Sequence, residues 1–493
     1  MKILLFRPPI TLYPSDKLYI RTPLGLCYVA AYLEQLGHLV KIVDCVVSGW
    51  RHPRKISKYS EEFIYIGPRD NELIREVENF QPDVVGISCI ASMYDDSLHH
   101  LSGLVKKVDK GIKVLAGGPH PSALVREILS NTNIDYVVIG EGEQTTGELL
   151  RRLENGIPIS NIDGFAFRNG KELVVNPRRN FIEDLDSLPF PARHLLPMEE
   201  YFKVSRLASD FGARGKFPST NMVTSRGCPG NCIFCTVPRI WGYRWRARSA
   251  ENVVEEIKFL IDNYGVKEIQ IEDDNMTVDK RRTENICRKI IENNLKIDWC
   301  CPNGVSINTL TPELIEIMRK AGCTGLAFGI EHGDPEMRAN TVGKPIDTIK
   351  IESIIKACKD FGIWAHGFFV MGLPGENRKT FNKTMELINT LDLDSISLFL
   401  ALPLPGSELY EIAVKKGVIS NPKRFFFDLR NSIPPRYSLT ECLSPKELFR
   451  LQLEGYKEFM LNKIRTRLNL KSMPKKSWAT ILMYRDLLQK KDV

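Results

Sequence analysis

No run of about 18 apolar residues occurs anywhere in the 493-residue chain, so no membrane-spanning helix is expected. The first ten residues, MKILLFRPPI, meet the double proline Pro8-Pro9 before an apolar core of leader length can form. No small-residue cleavage site follows, so no secretory signal is expected either. Charge of one sign is also scarce over most of the length. The formal net charge is +8, but Lys446 to Val493 alone carries twelve Lys and Arg against five Asp and Glu, which leaves +1 for the rest. The main body therefore lacks the footprint of a nucleic-acid enzyme, and no nucleic-acid partner is expected. Cysteine is thin, twelve in all. Without a secretory leader these argue against a disulfide scaffold and for a reducing, cytoplasmic setting. The first β/α turn lacks G-x-G-x-x-G, which counts against a dinucleotide ligand.

What is present is a long alternation of apolar β-rich runs with helix-period segments. KILLFRP, VKIVD, DVVGIS, KVLAGG and DYVVIG read as strands of a parallel, doubly wound sheet over residues 1–155. Residues 46–70 interrupt the rhythm with a polar insertion that reaches toward a partner domain. Residues 156–205 read as a connector with a weak hairpin signal at FAFRNGKELVV. Over 206–420, six further units (NMVTSRG, KEIQIED, IDWCCPN, GLAFGIE, WAHGFFVMG, SISLFLALP) predict a partial (β/α)6 barrel, open on one side. A basic helical region, 421–493, closes the chain. The fold class is α/β throughout, with a helical extension.

One cluster breaks the cysteine scarcity. In TSRGCPGNCIFC, Cys228, Cys232 and Cys235 follow C-x3-C-x2-C directly after the first barrel strand, at the face where barrel active sites lie. Structural zinc asks for four ligands, and the nearest spare thiols, Cys300 and Cys301, stand at another strand end. A 4Fe–4S cluster held by only three cysteines keeps one iron open for another ligand. The spacing and placement favour that cluster over zinc.

With Phe234 before the last cysteine, this motif resembles the radical S-adenosylmethionine (SAM) superfamily over residues 221 to about 418. The resemblance implies that the open iron chelates SAM and that an electron from the cluster yields a 5′-deoxyadenosyl radical. It implies SAM contacts from Phe234 and from the acids Glu272, Asp273 and Asp274 of IEDDN. Beside these, Glu331 of FGIEHG, a carboxylate at a strand end, is a candidate partner for ribose hydroxyls or one half of a buried ion pair. Gly372 and Pro374 of VMGLPGE form a turn that lets a ligand approach closely, where Glu376 suits a helix start. Arg244, Arg246 and Arg248 in RIWGYRWRARS read as a gate over the cluster or as a surface charge patch.

The first domain, with RTPLGLCYVAAYLEQLG, DVVGISC, VLAGGPHPSA and VVIGEGEQT, resembles the cobalamin-binding domains that precede radical SAM barrels. Contacts are expected from Pro23, Leu24, Gly25, Ser88, Gly117, Gly118, His120, Gly140, Glu141, Gly142 and Glu143. The D-x-H-x-x-G motif is absent, so cobalamin is expected without a protein axial histidine; His120 shapes its turn instead.

Together these resemblances imply an enzyme, a cobalamin-dependent radical SAM methyltransferase. It would methylate an unactivated carbon or a phosphinate through methylcobalamin, with a small-molecule or lipid substrate and a reductant such as ferredoxin or flavodoxin. The alternative is an oxidative ring cyclase acting on a porphyrin or lipid. More remote are a methylthiotransferase, which would need Cys27, Cys45 and Cys89 around a second cluster, and a non-catalytic cobalamin sensor. In the tail, SWATILMYRDLLQKK either packs on the barrel or rests peripherally on the inner face of an anionic membrane.

Overall fold

The computed structural model describes residues 1–466 apart from 15, 17, 59–60, 208–215, 420 and 430–435. Its first sheet places the parallel strands in the order Leu39–Asp44, Lys2–Arg7, Val84–Ser88, Lys113–Gly117, Tyr136–Val138. The winding reverses between Lys2–Arg7 and Val84–Ser88, and a crevice opens beyond the carboxyl ends at such a reversal. Alternate side chains along each strand face opposite layers. Leu4, Phe6, Val85, Ile87, Val114 and Ala116 pack under helices Asp70–Phe80 and Asp95–Val108. Ile3, Leu5, Val84 and Leu115 meet Cys27, Ala30, Leu149 and Leu150 of helices Leu24–Gln35 and Gly142–Glu154. Each such buried Val, Leu or Ile side chain contributes about 1.5–3 kcal/mol.

The expected hairpin forms. Phe165–Asn169 and Glu172–Val175 turn through Gly170-Lys171, where Gly170 has φ +60°. They extend the first sheet antiparallel beside Tyr136–Val138, so this part of the connector belongs to the sheet. The polar insertion supplies Arg54–Lys58 and Glu61–Ile66, which join Ile10–Leu12 in a separate three-stranded sheet. It reaches the C-terminal region: Glu61 pairs with Arg424 at 3.5 Å and with Arg436.

The second sheet has six parallel strands in sequence order: Ser219–Met222, Glu268–Ile271, Asp298–Val305, Cys323–Glu331, Trp364–Met371 and Ser395–Leu400. Helices fill the crossovers, and their ends are written in the sequence. Ser249 caps Ala250–Tyr264 by accepting from Asn252 N at 3.1 Å, and Gly265 ends it at φ +62°. Outside the last strands lies helix Pro445–Thr466, with Leu448, Leu451, Tyr456 and Phe459 buried; Leu398 N donates to Tyr456 Oη at 2.9 Å. The stretch SWATILMYRDLLQKK lies outside the described residues. No described helix is long and apolar enough to cross a membrane.

Candidate active site between the two sheets

The cysteine loop is held from both ends. Before it, Ser225–Arg226 pairs antiparallel with Arg246–Ala247. The chain then turns at Gly227, φ +88°, where a Cβ would stand 2.6 Å from the Arg244 carbonyl oxygen, so only glycine fits. Asp273, buried at the end of the second barrel strand, accepts from Thr224 N, Thr224 Oγ1 and Ser225 Oγ, each at 2.6 Å. Within the loop, a Cβ on Gly230 would lie 3.4 Å from Cys228 Sγ and 4.0 Å from Cys232 Sγ, so the glycine keeps the space beside both thiols open. Phe234 packs with Ile233, Val342 and Leu373 in a small apolar cluster.

Burial pushes the thiols up, Cys232 to about 12 and Cys235 to about 11, against the nearby charge of Lys344 at Cys232. A metal reverses that preference, because a coordinating thiol is deprotonated outright. Among the described residues no three His, Cys, Asp or Glu side chains converge on one point as a single ion requires. An iron–sulfur cluster asks for something else, a thiolate on each of several irons. Three half-buried thiols spread along one glycine-spaced loop fit that demand.

The three neighbouring acids divide rather than converge. Glu272 pairs with Arg21 and accepts from Asn221 Nδ2 at 2.9 Å. Asp273 has its oxygens taken up by the loop, which sets it behind the site as a support. Asp274 accepts from Gly227 N at 3.2 Å, and burial raises its carboxyl to about 6. Glu331 adopts φ +69°, a left-handed conformation that a non-glycine residue holds only under constraint. Its carboxylate meets Lys344 Nζ at 2.8 Å. Burial alone would pull Lys344 down, but Glu331 and the Cys232 thiol hold it above the ordinary lysine range. Gly372, φ +81°, and Leu373 donate their N–H groups to Glu376, whose other oxygen lies 3.1 Å from His332 Nε2. Pro374 follows, half-exposed.

Facing the loop, a cavity of about 280 Å³ opens at the carboxyl ends of the first sheet. Leu24, Gly25, Ser88, Gly117, Gly118, Gly140, Gly142 and Glu143, all expected from sequence, line it. At Gly25 and Gly117 nothing lies within 4 Å of where a Cβ would stand, so the wall there is bare backbone beside open space. A flat ring fits against such a wall. Pro23 stands just outside as the residue before helix Leu24–Gln35. His120 does not reach the cavity: Ser92 Oγ and Asp95 Oδ1, each 2.9 Å away, occupy its two ring nitrogens. Glu141 points behind the wall. It accepts from Ile182 N at 2.7 Å and pairs with Arg226 and Arg246 at 2.8 and 2.9 Å.

Three residues were not legible in advance. Arg226 and Trp241 line the cavity from the barrel side. Lys344 approaches the cysteines because Gly343 sits where a Cβ would be 2.7 Å from the Asn231 carbonyl oxygen. A Gly-Lys-Pro run beyond a strand is the only hint the sequence offered. The arginines of RIWGYRWRARS form no single patch: Arg244 is exposed on Glu183, Arg246 is buried on Glu141, and Arg248 is buried on Glu256. Cys27 packs on one face of the first sheet, Cys45 and Cys89 on the other, so they compose no second cluster site.

Residues 222–388 match the Radical SAM superfamily, and residues 18–150 match the B12 binding domain. The chain is 31% identical over 445 residues to the cytidylyl-2-hydroxyethylphosphonate methyltransferase of Streptomyces wedmorensis, covering 85% of this chain and 82% of the relative. It is 25% identical over 448 residues to the anaerobic magnesium-protoporphyrin IX monomethyl ester cyclase of Rubrivivax gelatinosus, covering 90% and 74%. Among solved structures it resembles the radical SAM methyltransferase TsrM of Kitasatospora setae. There the TM-score is 0.66 at 18% identity, over 84% of this chain and 78% of that one, a likeness of fold.

Proposed function

This chain belongs to the cobalamin-dependent radical SAM methyltransferase family, and on that premise we propose how its residues divide the work. Cys228, Cys232 and Cys235 hold a 4Fe–4S cluster with SAM on the open iron, and the glycine-walled cavity of the first sheet holds cobalamin opposite. When bound, the cluster and SAM supply a radical that removes a substrate hydrogen, and the cobalamin supplies the methyl group. The observation that carries this is the shared boundary: Val223 and Arg226, on the chain leading into Cys228, line the cavity that Gly25, Gly117 and Gly142 line from the other side.

The protein's own groups position and exclude. Lys344, an ammonium beside the cysteines, suits the SAM carboxylate, and Glu331 orients it. Asp274 lies close enough to Cys228 and Cys235 for its charge to be felt there, while Asp273 fixes the loop. His120, held by Ser92 and Asp95, is not among the residues that would hold cobalamin. The substrate is a small molecule, and a low-potential protein such as ferredoxin or flavodoxin supplies electrons. The likeness to cyclases keeps a ring-closing reaction as the second reading. Peripheral membrane contact through the basic tail, whose stretch SWATILMYRDLLQKK lies outside the described residues, predicts liposome co-sedimentation that disappears when residues 467–493 are removed.

Anaerobic reconstitution with iron, sulfide, hydroxocobalamin, SAM and dithionite tests the assignment. The expected products are 5′-deoxyadenosine and S-adenosylhomocysteine together; deoxyadenosine with no S-adenosylhomocysteine favours ring closure. Cys232→Ala is expected to abolish the cluster absorbance and both products, and retained turnover would refute the cluster assignment.

A further inference from the structure

Arg226 stands where the cavity wall and the segment leading into the cysteine loop share a charged side chain. Its Nη1 lies 2.8 Å from Glu141 Oε1 and its Nη2 lies 2.7 Å from Glu143 Oε1. Those acids flank Gly142, which forms part of the cavity wall, and Glu143 sits in the first turn of helix Gly142–Glu154, where the helix dipole favours a carboxylate. The guanidinium lies between two rings, 5.2 Å from the centroid of Tyr28 and 5.1 Å from that of Trp241. All three charged side chains are 4–6% exposed. Arg226 is paired in register with Arg246, which also bonds Glu141 at 2.9 Å. Two arginines opposite each other in a ladder repel unless an anion stands between them. Here the anion is Glu141, from the turn between strand Tyr136–Val138 and helix Gly142–Glu154.

We propose that Arg226 is a positioning residue that fixes the cysteine loop against the cobalamin cavity. Two donors on one planar group, aimed at carboxylates on either side of Gly142, set orientation as well as distance; a lysine ammonium cannot reproduce that fork. Two residues later the chain reaches Cys228, with only the constrained Gly227 turn between. Movement of the Gly142 wall is therefore handed directly to the loop. The loop is also tied back to the barrel by Asp273, so it has little freedom to absorb such movement elsewhere.

The inference rests on the cobalamin reading above, and the test separates the two. Amide hydrogen–deuterium exchange of the full chain, without cluster or SAM, is followed with and without saturating hydroxocobalamin. In the parent protein the ligand is expected to slow exchange at residues 140–143 and also at 224–235. In Arg226→Gln, followed at a hydroxocobalamin concentration that saturates this variant, the slowing at 140–143 should persist, while that at 224–235 disappears. Arg226→Lys should restore only part of it. The double variant Glu143→Gln/Arg226→Gln leaves no unpaired carboxylate at 143, and Glu141 keeps Arg246, so it guards against simple misfolding; it should behave as Arg226→Gln does. Loop protection that survives in either glutamine variant overturns the proposal. So does loss of hydroxocobalamin binding in both, which would make Arg226 a ligand contact. If the parent protein fails to bind hydroxocobalamin at all, it is the cobalamin reading that falls.

Discussion

His366 shows how one buried side chain sets a pH limit on the whole fold. It stands on the fifth barrel strand with Nδ1 2.7 Å from Ser395 Oγ and Nε2 3.0 Å from Ser397 Oγ. A neutral imidazole donates from one nitrogen and accepts at the other, and serine hydroxyls can serve either role. Burial lowers its protonation to about 3, against about 6.5 in an unfolded chain. Between those values the unfolded state binds a proton that the folded state refuses. Stability contributed by the neutral ring is therefore complete above about pH 6.5 and falls by about 1.4 kcal/mol per pH unit below it. His366→Gln should flatten the dependence of the urea midpoint on pH between about 6.5 and 4.5. Parallel profiles for the two proteins would assign the acid sensitivity to other groups. At the same scale, Gly227→Ala should lower iron retained after reconstitution, because the added methyl meets the Arg244 carbonyl and the left-handed turn costs about 1–3 kcal/mol.

Among elements, the second barrel strand does more for the cysteine loop than its length suggests. Asp273 leaves Glu268–Ile271 and ties down two residues of the loop with three hydrogen bonds. Asp273→Ala would orphan a buried N–H and two hydroxyls, at a cost of about 3 kcal/mol or more. The expected outcome is a lower urea midpoint together with less than stoichiometric iron. A variant with normal stability and full cluster content would show that the loop holds itself. This bond set also marks the limit of what the chain could tell in advance. Ten of the eleven parallel strands of the two sheets were legible as apolar β-rich runs; the first barrel strand, Ser219–Met222, is polar, was expected from Asn221 onward and starts two residues earlier. The cysteines and the glycine wall of the cavity were legible for the same reason, as dense local patterns. The acids were legible as a group but not as individuals, since Glu272, Asp273 and Asp274 differ only in which way the strand end turns them. Arg226 and Lys344 could not be read at all. An arginine two residues before a cysteine and a lysine after a glycine gain meaning only when a distant segment packs against them.

For the whole molecule, the question is what holds two α/β sheets in a single mutual orientation. Apolar contact joins them but is non-directional. Charge supplies the direction. Glu141 and Glu143 from the first sheet meet Arg226 and Arg246 from the barrel in a buried set of two acids and two bases. Nearby, Glu256 takes Arg193 at 2.7 Å and also Arg248, with all three side chains 0–4% exposed. A buried pair adds little beyond an apolar replacement, but losing one partner strands the other, which costs about 3–5 kcal/mol. Glu141→Gln should therefore lower stability by about that amount, because it leaves Arg246 without a carboxylate and Arg226 with only Glu143. Tryptophan fluorescence and far-ultraviolet dichroism should move together in the urea titration, since the node lies where the sheets meet and its loss weakens both. Glu200→Gln is the matched control. Its partner Arg51 is half-exposed at 50%, so the change should stay within about 1 kcal/mol. If Glu141→Gln shifts the midpoint no more than Glu200→Gln does, the charged node does not set the orientation and the apolar interface alone must. If instead the two probes separate only in the Glu141 variant, the node is what makes the two sheets unfold as one.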